Sequence, residues 1–507
     1  MPYGPSTGSS CIVPTPVTAT LLYDLVRCPH RVTMDLFAEA SRRDPVNPFV
    51  QLLWERGNLY EKSVVAGLKT PFLDLSSFRG AEKERLTQEA MARGEPLIYG
   101  GRIQAGDLLG DPDLLRREEG GYVPGDIKSG SGEEGDDENS RPKKHYAVQL
   151  ALYVDILERK GLSSGRRGFI WDVHGQEVVY DLMTPQGVRN TDTLWDVYQE
   201  ALGEARRIIG RSCKTLPAYG AECKLCHWYS ACLADLATAN DLTLIPELGR
   251  SKREALMARV SNIRELASID VSAFTSGKKT VFPGIGPETL AKFVERARLL
   301  VAPNPKPYLK NPVTLPKSDV EIFFDIEVDP MRDICYLHGF IERHDGDNTS
   351  ERYIACFADS PTPAAEEAVF AGAWEYLRRA GPAAVYYYSK YERTIWRKLR
   401  EKYPRVCPES ELEEFFGEAV DLYFDVVRPH TEWPTRDFSI KTLAKYLGFA
   451  WRDTHPSGAA SIEWYHRWVE SSDPAIKQRI LDYNEDDCRA TRVLLDGIRK
   501  LPVGINE

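Results

Sequence analysis

Residues 120–130, GGYVPGDIKSG, decide how the first half of the chain reads. Tyr122, Val123 and Ile127 between bounding glycines make a short strand that ends on Asp126-Ile127-Lys128. Residues two apart on a strand share a face, so the Asp126 carboxylate and the Lys128 ammonium point the same way. Just upstream, GGRIQAGDLLG (residues 100–110) sets Asp107 at the end of another alternating apolar run. Two carboxylates can hold Mg²⁺ or Mn²⁺, while a lysine stabilises hydroxide or developing charge at a phosphodiester. Asp-x-Lys alone recurs by chance, so its companions matter. LLWERGNLYEKSVVAGL is an amphipathic helix that carries Glu61 as an extra ligand candidate. HYAVQLALYVDIL carries Gln149 and Tyr153 one helical turn apart, either site residues or a satisfied polar group and a core tyrosine.

Around this centre lie cysteines. Cys223, Cys226 and Cys232 form C-x2-C-x5-C in AECKLCHWYSACLADL, a spacing that can turn three thiolates toward one metal. Cys28, in LLYDLVRCPHRVTMD, is the candidate fourth ligand, with Cys11 a weaker one. Spacing leaves iron–sulfur and zinc open, and three buried free thiols are the plainer reading. The other cysteines, 213, 335, 356, 407 and 488, have no ligand spacing and read as packing residues.

The second half offers another acidic set. IFFDIEVDP places Asp325 and Glu327 on one face of a strand, and ILDYNEDDCRATRVLL places Tyr483 and Asp487 four apart on a helix. Between them VYYYSKYERTIWRKL brings Glu392 to a helix start, with Asp421 of AVDLYFD as a rival. Clustered carboxylates need cations, and two metal ions about 4 Å apart would clamp a phosphodiester displacement. Each pair is also common as ordinary strand and helix surface.

The chain of 507 residues suits two or three domains, and 42% hydrophobic content excludes wholesale disorder. Its start lacks a basic-then-apolar leader and no apolar run is long enough to cross a bilayer, so a cytoplasmic protein without membrane association is expected. The net charge of −10 at first opposes a nucleic-acid partner, but it is uneven: −5 over residues 1–240, +5 over 241–315 and −10 over 316–507. Glu133, Glu134, Asp136, Asp137 and Glu138 sit in SGSGEEGDDENS, which reads as a solvated loop. The basic middle holds TVFPGIGPETLAKFVERARLL, where Gly284 and Gly286 precede a helix whose amides can approach a phosphate, with Lys278, Lys279 and Lys292 nearby. A tight turn before a helix is the alternative there. Five prolines between Pro303 and Pro316 read as an extended linker. Three segments follow: 1–240, 241–315 and 316–507.

Taken in order, Cys28, Glu61, Asp107, Asp126-Ile127-Lys128, Gln149-x3-Tyr153 and the three later cysteines resemble the PD-(D/E)XK nucleases of RecB type. The branch with an iron–sulfur cluster, as in AddB and the CRISPR-associated iron–sulfur exonucleases, is nearest. The resemblance covers about residues 20–240. It implies a restriction-endonuclease-like α/β core and a [4Fe–4S] cluster on Cys28, Cys223, Cys226 and Cys232. It also implies Asp107 and Asp126 as metal ligands, Lys128 as catalytic lysine, and Gln149 and Tyr153 as nucleic-acid-orienting residues. Glu61 stands where many relatives have a metal-binding His. Residues 316–507 resemble the DEDDy branch of RNase H-like 3′–5′ exonucleases. Asp325 and Glu327 match the first motif and Tyr483 with Asp487 the third. DFSIKTLAKYLGF matches a Ser-x-Lys-x-Leu helix, and Glu392 takes the place of the usual aspartate. This implies metals on Asp325, Glu327 and Asp487, and Tyr483 orienting the attacking water. The middle looks like a helix–hairpin–helix connector, with its first helix near KREALMARVSNIRELA.

The whole order resembles a family of bacterial RecB-like nucleases. It implies a metal-dependent DNA nuclease, exonuclease rather than endonuclease, acting on single strands or ends in repair, recombination or defence. RNA is a second substrate choice, and a helicase or a repair or defence protein a partner. The alternatives are a nucleic-acid-binding or assembly module with degenerate nuclease folds, and a zinc protein without catalysis.

Overall fold

The computed structural model describes residues 15–135, 140–185, 191–454 and 456–504. Asp136, Asp137 and Glu138 of the acidic loop, and Cys11, lie outside the described residues. The chain forms two compact units: residues 1–45, 53–217 and 226–230 in one, and residues 46–52, 218–225 and 231–507 in the other.

The first unit is built on a six-stranded mixed sheet. Along the chain its elements are α1 (Ala19–Arg27), α2 (Pro29–Phe37), α3 (Pro48–Gly67), β1 (Leu73–Asp74), α4 (Gly80–Arg93), β2 (Leu97–Tyr99), β3 (Leu114–Glu118), β4 (Gly121–Ile127), α5 (Lys144–Arg159), β5 (Arg167–Trp171), β6 (Glu177–Asp181) and α6 (Leu194–Ile209). Their spatial order is β6-β5-β4-β3-β2-β1. β4 pairs antiparallel with β3 and parallel with β5, which places Asp126 opposite Ile170 in mid-sheet. α5 is buried at every position from Tyr146 to Leu157, as expected of a central helix. It joins α1 and α6 in one core, containing Leu22, Ile98, Leu115, Leu150 and Tyr198. A smaller core with Leu97, Val123, Ile127 and Phe169 is packed by Tyr60 and Val64 of α3. α6 begins with a capping box, the Thr193 hydroxyl accepting from the Asp196 amide at 3.1 Å while the Asp196 carboxylate accepts from the Thr193 amide at 2.9 Å. The described flanks of the acidic loop pair as a short hairpin, Glu133 with Pro142 and Glu134 with Arg141.

The second unit takes in most of α7 (Tyr229–Ala239) and the basic middle: α8 (Gly249–Leu256), α9 (Ile263–Ser268) and α10 (Pro287–Val301). These close over their own core of Leu256, Ile263, Leu266, Leu290 and Phe293. Sequence reading separates this block from the C-terminal domain by an extended linker. The structure puts both in one unit, because apolar residues between the prolines pack. Leu309, Val313 and Leu315 lie against the C-terminal core, and Tyr308–Leu309 pairs with Thr431–Glu432. Arg296 of α10, only 1% exposed, bonds Glu432 at 2.9 Å and Glu247 at 3.0 Å. A buried guanidinium with both partners in place fixes geometry more than it adds stability.

The C-terminal part is a five-stranded sheet of β7 (Val320–Asp329), β8 (Ile334–His344), β9 (Asp347–Phe357), β10 (Ala384–Tyr387) and β11 (Val420–Asp421), ordered β9-β8-β7-β10-β11. β7, β8 and β9 run antiparallel, while β10 and β11 add in parallel. Its helices are α11 (Pro363–Arg379), α12 (Tyr391–Lys402), α13 (Glu409–Glu418), α14 (Ile440–Tyr446), α15 (Gly458–Ser471) and α16 (Pro474–Ile498). β7 is buried on both faces: Ile322 and Phe324 enter one core with Phe370 and Trp396, and Phe323 enters another with Leu494. Among the described residues no helix is long and apolar enough to cross a membrane.

Candidate active sites

In the C-terminal domain, alternation along β7 sends Asp325 and Glu327 to one face, and α16 brings Asp487 against them. Carboxylate oxygens of Asp325, Glu327 and Asp487 all lie within 4.8 Å of one another. Burial, then the charges of Asp487, Glu327 and Glu392, holds Asp325 well above the usual carboxylate range. Burial and Asp487 push Glu327 up to about 8, against the opposing pull of Lys441. Glu392, 4% exposed at the start of α12, is also raised by burial and by Asp421, Asp487 and Glu327. Its Oε2 has no hydrogen-bond partner among the described residues. Hard oxygen donors, mutual repulsion and an orphaned carboxylate oxygen fit Mg²⁺ or Mn²⁺. The rival Asp421 has another job: its Oδ1 accepts from the amides of Ser389, Tyr423 and Phe424 at 2.9, 2.9 and 3.1 Å. It is a backbone cap, and Glu392 is the free acid.

Neutral and cationic groups hold this cluster in place. The Lys441 ammonium donates to the Tyr483 hydroxyl at 2.6 Å and lies 3.4 Å from Asp487 Oδ2. Trp451 Nε1 donates to Asp487 Oδ1 at 2.7 Å. The Asn484 amide donates to Asp325 Oδ2 at 2.7 Å and accepts from the Tyr353 hydroxyl at 2.8 Å. Gly339, opposite Asp325 in the ladder, leaves room for that amide, since a Cβ there would stand 1.6 Å from Asn484 Oδ1. Lys441, Asn484, Trp451 and Tyr353 were not singled out by the sequence reading. Lys441 had a signal in the Ser-x-Lys-x-Leu helix, and Asn484 is the residue next to Tyr483.

In the first unit, Lys128 Nζ lies 2.8 Å from Asp126 Oδ2, and Asp126 is only 2% exposed. The second carboxylate beside this pair is Asp113, not Asp107. Asp113 Oδ2 accepts from the Ile127 amide at 2.8 Å, and its own amide faces Asp126 Oδ1 at 3.4 Å. Burial, then Asp126 and Glu61, pushes Asp113 up to about 8, opposed by Lys128. Burial alone would lower Lys128, but Asp126 and Asp113 outweigh it and hold the ammonium charged. Asp107 sits in the turn between strands Ile103–Ala105 and Leu108–Gly110, gripped at 2.8 Å on each oxygen by Arg206, which lowers its pKa. The available signal was Pro112-Asp113, a proline-aspartate step ahead of Asp126-Ile127-Lys128. Glu61 accepts from the Tyr99 hydroxyl at 2.8 Å and bears on Asp113, so it joins the site. Tyr153 is buried, donates to Asp111 O at 3.4 Å and interacts with Asp126. Gln149 is 8% exposed, and its Oε1 has no hydrogen-bond partner among the described residues. This carboxylate set also fits Mg²⁺ or Mn²⁺.

A carboxyl whose folded pKa is raised favours the folded state fully below its unfolded pKa, and that contribution is lost as pH rises through the folded value. Asp113 and Glu327, both near 8, therefore strain the metal-free fold increasingly between about pH 4 and about pH 8. A divalent cation replaces the missing protons. The rise in Tm on adding Mg²⁺ is expected to grow from about pH 6 to about pH 8.5. A rise independent of pH in that window contradicts this electrostatic picture.

Elsewhere the proposed ligands are placed as follows. Cys28 caps the α1–α2 junction, Cys223 lies in the 3₁₀ turn Ala221–Leu225, and Cys232 lies in the first turn of α7. These three and Cys226 are partly exposed thiols outside any disulfide among the described residues. Gly286 caps α10, and Gly284 takes a positive φ of 71° in the turn before it. Lys278 and Lys279 are exposed at a small hairpin. Lys292 is held by Glu247, which also binds Arg296 and Arg428. The structure thus leaves Lys278 and Lys279 open to an anion and commits Lys292 to an ion pair.

These two acidic sites, each with a lysine beside it, fit the chemistry of phosphodiester hydrolysis. The family comparison agrees: residues 36–233 match the PD-(D/E)XK nuclease superfamily, and residues 322–498 match the RNase_H superfamily. The chain carries two domains of nuclease superfamilies, and a nuclease function follows. No curated protein matches the sequence.

Proposed function

We propose that the protein is a metal-dependent DNA nuclease with two cleavage sites, acting exonucleolytically on single strands or ends. The observation that carries this reading is the convergence of Asp325, Glu327 and Asp487 within 4.8 Å, with Lys441 and Tyr483 alongside. Bound Mg²⁺ or Mn²⁺ would supply Lewis-acid stabilisation of the phosphoryl oxygens and an acidified water. At this site Asp325, Glu327, Asp487 and Glu392 hold the cations. Tyr483, its hydroxyl accepting from Lys441, keeps its own proton for the attacking water's lone pair and so orients that water. Trp451 and Asn484 fix the carboxylates that must not drift. Misplacement by about 1 Å can cost about 10²-fold in rate, so the longer Glu392 in place of aspartate makes this site slower than one built on aspartate.

At the first site Glu61, Asp113 and Asp126 hold the metal, and Lys128 stabilises the charge that develops on the attacking oxygen. Gln149 offers an unpaired acceptor and Tyr153 backs Asp126. Assigning Asp113 the role that the sequence resemblance gave Asp107 makes a sharp prediction. Asp113→Asn should lower cleavage at this site about 10²-fold or more. Asp107→Asn should leave the rate within about twofold and cost under about 1 kcal/mol of stability, because it breaks only a partly exposed pair with Arg206. Rates measured in an Asp325→Ala background isolate the effect. Equal rates for Asp113→Asn and the parent would return the role to Asp107.

Cys28, Cys223, Cys226 and Cys232 would hold a [4Fe–4S] cluster. The soft donor character of four thiols, three of them in C-x2-C-x5-C spacing, supports this chemistry. The cluster would staple the domain, not carry electrons. Iron and inorganic sulfide in equal amounts in anaerobically purified protein are expected, whereas zinc in their place contradicts the assignment. The Gly284–Gly286 turn with Lys278 and Lys279 would serve as a helix–hairpin–helix phosphate contact. A cytoplasmic role in repair, recombination or defence, alongside a helicase, suits an end-directed activity.

A further inference from the structure

One basic surface of the first unit has no role in the chemistry above. Tyr23 and Arg27 lie one turn apart on α1, and the Arg27 guanidinium donates to the Tyr23 hydroxyl at 3.2 Å. The Tyr23 ring meets His145 edge-on at a centroid distance of 4.8 Å, and His145 meets Tyr146 at 4.6 Å. Tyr146 in turn lies beneath the ammonium groups of Lys143 and Lys128, 5.3 and 5.7 Å from its ring centroid. Three aromatic rings thus run in a continuous chain, with Arg27 at one end and Lys143 and Lys128, the lysine beside Asp126, at the other.

The charge along this chain is hard to explain by folding alone. α5 starts with Lys143 as its N-cap, followed by Lys144 and His145, with no capping side chain and no acid in the first turn. Cations at the positive end of a helix oppose its dipole, the reverse of what stability favours. A local rule broken without compensation within the fold is expected at a functional site. Nearby acids are spoken for: Arg31 takes Asp24 and Arg141 takes Glu134. Arg27 and Lys144 form no ion pair among the described residues. Glu134 and Asp172 bear on Lys143, whose ammonium donates to Ser131 O at 2.8 Å, and Asp126 pairs with Lys128. Burial, then Arg27, Lys143 and Lys128, pushes His145 down to about 4, so its ring stays neutral and can stack. One turn further along α5, on the same face, stands the nine-tenths buried Gln149 with its unpartnered Oε1. A polar group left open there points to a ligand group arriving along this face.

We propose that Tyr23, Arg27, Lys143, Lys144 and His145 form a track that guides a single-stranded nucleic acid to Asp126 and Lys128. Phosphates lie on the cations and a base stacks on Tyr23. A run of rings flanked by cations suits unpaired bases, which expose their faces, whereas a duplex keeps its faces stacked inside. The track rests on the reading of Asp126 and Lys128 as a cleavage site, but it is tested by binding alone.

The full-length protein, without added Mg²⁺ or Mn²⁺, is titrated into labelled oligo(dT), oligo(rU) and a blunt DNA duplex, and anisotropy is read at several salt concentrations. Arg27→Glu with Lys144→Glu should weaken binding to single strands about 100-fold and lower the salt slope by about two. Tyr23→Leu should weaken it about tenfold, while Tyr23→Phe, which keeps the ring, should bind as wild type. Duplex binding should change by less than about threefold in Tyr23→Leu, because a paired base cannot use the ring. Comparing oligo(dT) with oligo(rU) identifies which sugar the track prefers. Wild-type affinity in the charge-reversed and Tyr23→Leu proteins, both with unchanged thermal unfolding, overturns the proposal. Equal losses for duplex and single strand overturn its single-strand character. If the wild type binds but cuts nothing with metal present, the nuclease reading fails while these variants still decide the track.

Discussion

Asp325→Ala is expected to reduce cleavage by the C-terminal site about 10³-fold or more, with the fold intact. The reason lies in how many roles this carboxylate fills. It belongs to the acidic cluster, its pKa raised by burial and then by the charges of Asp487, Glu327 and Glu392, and one of its oxygens is fixed by the Asn484 amide at 2.7 Å. Removing it would take away a proposed metal ligand and relieve repulsion at once. The variant should therefore lose activity while its metal-free form gains stability at pH above about 7. This opposite movement of rate and stability separates a lost ligand from simple unfolding, in which both would fall. Cleavage by the Lys128→Ala background, which leaves only this site working, is the assay. A retained rate would show that Asp325 holds no catalytic metal.

Lys128→Ala is expected to lower cleavage at the first site about 10²–10³-fold, and more in kcat than in KM. Lys128 Nζ, 2.8 Å from Asp126, faces two buried or half-buried carboxylates, and those carboxylates hold it charged. Its loss leaves Asp113 and Asp126 opposed without a counter-charge, so Asp113 should take up a proton at still higher pH than its present value of about 8. The activity remaining in this variant should shift to higher pH. Lys128→Arg, which restores charge but not the compact ammonium geometry, should recover only part of the rate. A rate unchanged by Lys128→Ala, in a background lacking Asp325, would remove the lysine from the chemistry.

Much of the arrangement was legible because the chemistry sits on regular elements. Alternation on one strand put Asp325 and Glu327 together, and helical spacing put Tyr483 beside Asp487. The Asp-Ile-Lys step at the end of β4 marked the first site for the same reason. What escaped depended on contacts distant in sequence. Asp113 opposes Asp126 only because β3 and β4 pair antiparallel, Leu114 against Gly125. Asp107 looked equivalent until Arg206, far along the chain, took up both its oxygens. Asn484 and Tyr353 serve Asp325 across the sheet, a relation that local pattern does not carry. The proline-rich stretch misled in another way. Proline density argued for a free spacer, but Leu309, Val313 and Leu315 supply enough apolar surface to anchor it to the C-terminal core. Charge behaved likewise. The −10 net value spoke against nucleic acid, yet buried carboxylates facing one another account for negative charge that cations would neutralise, while Arg27 and Lys144 form no ion pair among the described residues.

The central claim is that both acidic sites hydrolyse phosphodiesters with divalent metal. It is tested most directly by incubating end-labelled single-stranded DNA with wild type, Lys128→Ala, Asp325→Ala and the double variant, each with Mg²⁺, with Mn²⁺ and with chelator. Wild type should cleave only when metal is present, each single variant should keep partial activity with a distinct product pattern, and the double variant should keep none. Intact DNA after incubation with metal-loaded wild type, or undiminished cleavage by the double variant, would contradict it.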